Sequence, residues 1–121
     1  MKAANLRDLI AWQWKVYANA HQDRRNLFIH LVAVPLFGAS ALSLLAGLFS
    51  LAWPLAVAGL LGMMIGFALQ GFGHRYERNA PTPFASRGEF FTRVLTEQFV
   101  IFPRFFLSGA WLQSLRVPSR T

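Results

Sequence analysis

The chain has 121 residues, of which 12 are basic, 5 acidic and none cysteine; 55% are hydrophobic and only 14% charged. A soluble domain carries about 25% charged residues, so the composition argues against an ordinary cytosolic globule and against disorder. The absence of cysteine excludes disulfide scaffolds, thiol catalysis and cysteine-held zinc or iron–sulfur sites.

Residues 5–21 read as an amphipathic helix. Asn5 can cap it, with Asp8 three residues on. Leu6, Leu9, Ile10, Trp14 and Tyr17 recur at helical spacing, and His21 continues that stripe. Trp12, Trp14 and Tyr17 suit the headgroup level of a bilayer, so this helix is expected to lie on a membrane or to pack against the apolar helices beyond it. Asp23 or Asn26 can cap the next element.

Leu27 to Phe49 gives 23 residues without formal charge, and Trp53 to Gly73 gives another 21. A helix needs about 20 apolar residues to cross the hydrocarbon, so both are expected to span. The first begins too late and runs too long for a cleaved signal peptide. Between them, Ser50-Leu51-Ala52 with Pro54 just after leaves room only for a tight turn, which makes the pair an antiparallel hairpin. Gly62 and Gly66, with Gly59 nearby, put a face of small residues on the second span. Lys2, Arg7, Lys15, Arg24 and Arg25 precede the hairpin; Arg75, Arg78, Arg87, Arg93, Arg104, Arg116 and Arg120 follow it, and its turn carries no charge. By the positive-inside rule both termini face the cytoplasm. The net charge of +7 then needs no nucleic acid to explain it.

After the second span, residues 78–83 form a loop stiffened by Pro81 and Pro83. Ser86-Arg87-Gly88-Glu89 matches a capping box and is expected to open a helix that ends near Phe102, before Pro103. A further helix from Arg104 to about Leu115 completes an apolar helical region over 87–115. Glu89, Arg93 and Glu97 draw one polar line along it. Glu89 and Arg93 have the favourable i, i+4 orientation, and Glu97 also reaches Arg93. Whether 90–115 spans, re-enters or lies in the interface stays open, although Arg104 near its middle disfavours a simple span. The expected architecture is therefore all-α and membrane-integral: one domain, 1–121, with a two-helix transmembrane hairpin and flanking amphipathic helices.

The chain has three histidines, and the hairpin brings all of them to one level. His30 sits in the first turn of the first span, His74 just past the second, and His21 ahead of both, with Glu77 one turn beyond His74. His21 and His30 are nine residues apart, which on one continuous helix would set them on opposite faces; they share a ligand only if the chain turns between them. A lone histidine at an interface is ordinarily a polar residue near headgroups. Three at one mouth point to a metal instead, because neutral imidazole is the commonest metal-ligating side chain. Imidazole and carboxylate without thiolate suit non-haem iron, zinc or copper.

Two segments carry a resemblance. Tyr17 to His30 reads as a tyrosine-led H-x4-N-x3-H ahead of Pro35 and an apolar span. Gln70 to Pro81 reads as Q-x-x-G-H followed by E-x-x-x-P. Together, over roughly residues 12–84, they resemble the small membrane family of iron-dependent 2-hydroxy fatty acid dioxygenases of fatty acid α-oxidation. The resemblance implies Fe(II) as cofactor, with O2 and a long-chain 2-hydroxy fatty acid as substrates and an acid one carbon shorter as product. It implies His21, His30 and His74 as metal ligands; the sequence leaves the fourth ligand open between Glu77, Glu89, Glu97 and water. Glu77, Asn26 and Gln70 match motif positions and are counted with the catalytic residues. Arg24, Arg25, Arg75 and Arg78 are candidates to pair with the substrate carboxylate, against the plainer reading of positive-inside anchors. The location implied is a bacterial inner membrane; self-association stays open. Two other readings compete: a non-enzymatic hairpin that binds lipid or holds haem between His30 and His74, and a zinc-dependent membrane hydrolase. No GxSxG, HExxH or P-loop pattern accompanies the latter.

Overall fold

A computed structural model describes residues 5–116; Lys2 and Arg120 of the expected flanking charges lie outside the described residues. Every regular element among the described residues is helical: α1 (Leu6–Tyr17), a 3-10 turn (Ala18–Ala20), α2 (Arg24–Phe49), α3 (Trp53–His74), α4 (Arg87–Thr96), a π turn (Glu97–Ile101), α5 (Phe102–Leu107) and α6 (Ala110–Arg116).

Asn5 caps α1 as its sequence suggests, its side chain accepting from the Asp8 N–H at 2.9 Å. The helix stops at Tyr17, however, and does not run on to His21. The last carbonyls of a helix lack partners, and His21 satisfies two of them: its backbone N–H donates to Ala18 O at 3.2 Å and its ring Nδ1 bonds Tyr17 O at 2.7 Å. The chain leaves the helix there and turns, and Asp23, not Asn26, caps α2 by accepting from the Arg25 N–H at 2.8 Å.

α2 and α3 form the antiparallel hairpin. The turn is a Schellman closure: the Ala52 N–H reaches Gly47 O at 2.8 Å and the Leu51 N–H reaches Leu48 O at 3.4 Å, with Leu51 in the left-handed region at φ 56°. Pro54 sits in the first turn of α3, where its missing N–H leaves no gap in the ladder. The two helices press together along small residues. A Cβ on Gly59 would collide with the backbone of Leu44 and Ser40, one on Gly62 with the Ser40 side chain, and one on Gly66 would crowd Ala33 O and Phe37. Gly59→Val should therefore push the helices apart and cost about 1–3 kcal/mol or more. Gly71 faces open space, with nothing within 4 Å of an added Cβ. Gly71→Ala should leave the unfolding midpoint unchanged or slightly raised. Thermal unfolding of both variants in detergent checks the pair.

The capping box opens α4: Ser86 Oγ accepts from the Glu89 N–H at 3.1 Å. The expected stop before Pro103 does not occur. The helix widens into the π turn, where the Phe102 N–H bonds Glu97 O five residues back, and Pro103 enters the first turn of α5. The break falls instead at Gly109, whose φ of 87° suits glycine. α6 then folds back, and Trp111 Nε1 donates to Leu27 O at 3.0 Å. Tyr17, Leu27, Val34, Ile101, Phe102, Phe105 and Trp111 form the core at the open end of the hairpin.

Among the described residues, only α2 and α3 are long and apolar enough to cross a membrane, with mean hydropathies of 2.1 and 1.9. Their outer faces are bare: Val32, Leu42, Leu61 and Ile65 are all more than half exposed.

Candidate metal centre

The turn at His21 brings the three histidines together. Their ring centroids lie 4.6 to 4.9 Å apart, each pair edge-to-face. One ring nitrogen from each falls within 4.8 Å of the others. His21 and His30 are each 3% exposed. Both are aimed the same way: His21 Nδ1 meets Tyr17 O at 2.7 Å, and His30 Nδ1 meets Asn26 O at 3.1 Å. A carbonyl oxygen only accepts, so each Nδ1 carries the proton and each Nε2 keeps its lone pair. Tyr17 stacks on the His21 ring at 3.7 Å. Burial, with His30 and His74 adding to it, pushes His21 well below the usual imidazole range, so it is neutral at pH 7.

His74 Nδ1 is buried with no hydrogen-bond partner. A buried polar nitrogen without a partner is costly, and the three clustered ring nitrogens are placed so that they could hold one metal ion. Nitrogens bound to one ion at about 2.1 Å sit somewhat closer together than the present limit of 4.8 Å, so the rings would draw in slightly. The donor set fits a first-row divalent metal.

The other expected site residues take different places. Glu77 accepts from the Gln22 N–H at 2.8 Å, the Asp23 N–H at 3.0 Å and Asn26 Nδ2 at 2.7 Å. Its carboxylate thus staples the end of α3 to the His21–Asn26 turn. Asn26 is fully buried and joins both networks: its side chain binds Glu77, and its carbonyl orients His30. Gln70 pairs reciprocally with Gln98 at 2.8 and 2.6 Å on the wall beside His74. The four expected arginines stand outside. Arg24, Arg75 and Arg78 are exposed, and Arg25 pairs with Asp23 at 2.9 Å and lies over the Tyr76 ring.

The C-terminal helices bring in Arg93 and Gln98, which the sequence does not mark as site residues, together with Glu97, which it does. Arg93 is 4% exposed. Its guanidinium donates to Glu89 at 3.1 Å, Pro83 O at 3.2 Å and Thr82 O at 2.9 Å, and it lies over the rings of Trp12 and Phe84. Glu97 borders two cavities with Arg93, one reaching His21 and the other His74. It does not pair with Arg93 as expected; burial pushes its carboxyl up to about 7, with Arg93 opposing. Gln98 signals itself only as a polar residue in an apolar run.

A family model described as "Mpo1-like: 2-hydroxy-palmitic acid dioxygenase Mpo1-like" matches residues 8–105. No curated protein and no solved structure matches the chain significantly.

Proposed function

The chain belongs to the Mpo1-like family, named for 2-hydroxy-palmitic acid dioxygenase, and from that premise we propose that it is a membrane-embedded dioxygenase acting on long-chain 2-hydroxy fatty acids. The observation that carries the reading is the triplet of imidazoles, two of them buried and the third with a buried ring nitrogen left unpartnered. His21, His30 and His74 would hold Fe(II), which supplies the binding and activation of O2 when present. Tyr17 O and Asn26 O fix the tautomers of His21 and His30, and Glu77, through Asn26 and the amides of residues 22 and 23, holds the turn that carries His21. In this reading Glu77 and Asn26 are positioning residues. Gln70, locked to Gln98, shapes the wall next to His74. The fourth position falls to Glu97 or water, since Glu77 is engaged by three donors of the His21–Asn26 turn and Glu89 is held by Arg93.

The test is metal content after gentle anaerobic purification. Iron near one equivalent per chain is expected, without a Soret band. Zinc in its place would favour the hydrolase, and a Soret band the haem-binding hairpin.

The exposed apolar faces of α2 and α3 support a bilayer location, because water would leave them uncovered. The whole chain then forms one membrane domain with both termini in the cytoplasm and the histidines at that interface. Reporter fusions after residue 121 and within residues 50–53 should report opposite sides; matching reports would refute the hairpin topology.

A further inference from the structure

One cavity leads away from the histidines into the apolar part of the molecule. A cavity of about 300 Å³ lies between α3 and α4, bordered by His74, Gln70, Arg93 and Glu97 at one end and by Phe67 and Val94 at the other. Phe67 and Val94 also border a second cavity of about 230 Å³, whose wall is entirely apolar and includes Phe37, Leu60, Met64 and Phe91. The two share a wall and follow α3, which rises about 21 Å between Leu60 and His74 at 1.5 Å per residue. The second cavity is open toward the exposed side chains of Met64 and Phe91, on the outer surface of the helices. At the polar end, Arg93 lines the cavity and its buried Nε has no partner, although its terminal nitrogens bond Glu89, Pro83 O and Thr82 O.

We propose that the substrate enters sideways from the bilayer between α3 and α4, its acyl tail in the Phe67–Val94 groove and its carboxylate on Arg93. This rests on the fatty acid dioxygenase reading and adds to it the residues that choose the substrate. An amphiphile with an anionic head fits both ends. The groove offers no polar group to anything but hydrocarbon, and burial makes a guanidinium N–H without an acceptor a strong site for a carboxylate. The exposed Arg24, Arg75 and Arg78 border neither cavity. Glu97 and His74 are the other ionisable groups on the wall around Arg93, and Glu89 is already bonded to it. Arg93 holds the head beside His74, and Phe67 and Val94 form the neck that aligns the chain.

The experiment uses metal-free protein in nanodiscs, so that it does not depend on turnover. A 2-hydroxypalmitate carrying a diazirine near its tail end is photolysed with and without excess 2-hydroxypalmitate, and labelled peptides are identified by mass spectrometry. Label on Met63, Met64, Phe91 or Leu95 that the competitor removes is the expected result. Label scattered over lipid-facing positions such as Val32 and Leu42, and indifferent to competitor, would overturn the groove. Arg93→Lys keeps the charge but loses the planar fork, and should weaken competition by 2-hydroxypalmitate about 10- to 100-fold. Competition by 1,2-hexadecanediol, which has no carboxylate, should be unchanged in that variant; an equal loss for both would make Arg93 merely structural. Met64→Trp narrows the deep end and should shift competition toward shorter 2-hydroxy acids; unchanged preference would count against the tail's path. Competed labelling without turnover of the iron-loaded protein would refute the dioxygenase reading and leave the groove standing.

Discussion

Replacing His21, His30 or His74 by alanine, one at a time, should abolish turnover and lower iron occupancy, while each variant still inserts and folds. Each change removes one of three ring nitrogens that lie within 4.8 Å of one another, and two remaining imidazoles make a much poorer site. The fold should survive because Leu27, Val34, Ile101, Phe102 and Trp111 of the core make no ring contact with a histidine; Tyr17 stacks on the His21 ring, and Phe105 lies 6.4 Å from it. Glu77→Gln gives a graded counterpart. It leaves all three imidazoles in place but weakens the carboxylate's hold on the amides of residues 22 and 23 and on Asn26. Partners that orient ligands without binding metal ordinarily cost 10- to 100-fold in affinity when removed, so Glu77→Gln should lie about there, short of the alanine variants. Metal analysis after dialysis against a graded chelator, with circular dichroism for the fold, separates the outcomes. Full iron retention in all three alanine variants would make the histidines ordinary interfacial residues.

The hairpin is legible in the sequence because its signals are long and local. Two uncharged runs of span length, a short turn with Pro54 and an all-or-none charge asymmetry leave one arrangement. The convergence of the histidines is legible for the same reason: a hairpin of fixed length sets His30 and His74 level. The end of α1 is less so, because the apolar stripe continues to His21, and the carbonyls that pull its ring and amide out of the helix become visible only in three dimensions. Pro103 misleads for a similar reason. A proline ordinarily ends a helix by removing a donor, but the π turn before it shifts the ladder, and the chain waits for Gly109. In sequence, Arg93 reads as half of an i, i+4 pair with Glu89. That pair forms, yet packing between Trp12 and Phe84 buries Arg93, and the Trp12 contact joins distant parts of the chain that periodicity does not connect. The exposed arginines draw attention by their proximity in sequence to the histidines, and proximity in sequence is not proximity in the site.

Under air, the iron-loaded protein should convert 2-hydroxypalmitate to pentadecanoate, and leave palmitate and lactate essentially untouched. The balance of the reaction favours this substrate class. One carbon–carbon bond breaks between the carboxyl and the hydroxyl-bearing carbon; the latter rises to the acid level and the former leaves as carbon dioxide. Substrate and O2 then give the shortened acid, carbon dioxide and water with every electron accounted for, and no external reductant enters. Palmitate offers a carboxylate but no hydroxyl next to it. A site built to hold that hydroxyl discriminates against an analogue lacking it by about 10⁴-fold or more, because its own buried polar groups are left unpaired. Lactate fails for the opposite reason. It carries the same head but no tail to partition into the bilayer, a contribution worth about 0.8 kcal/mol for each methylene buried. The three compounds therefore separate head recognition from tail recognition in one assay, read by mass spectrometry of the products, with ¹⁸O2 to show that oxygen enters the shortened acid. An intact iron site that produced no pentadecanoate would refute the substrate while leaving the metal centre standing. Conversion of palmitate at a comparable rate would mean that the hydroxyl is not what the site recognises.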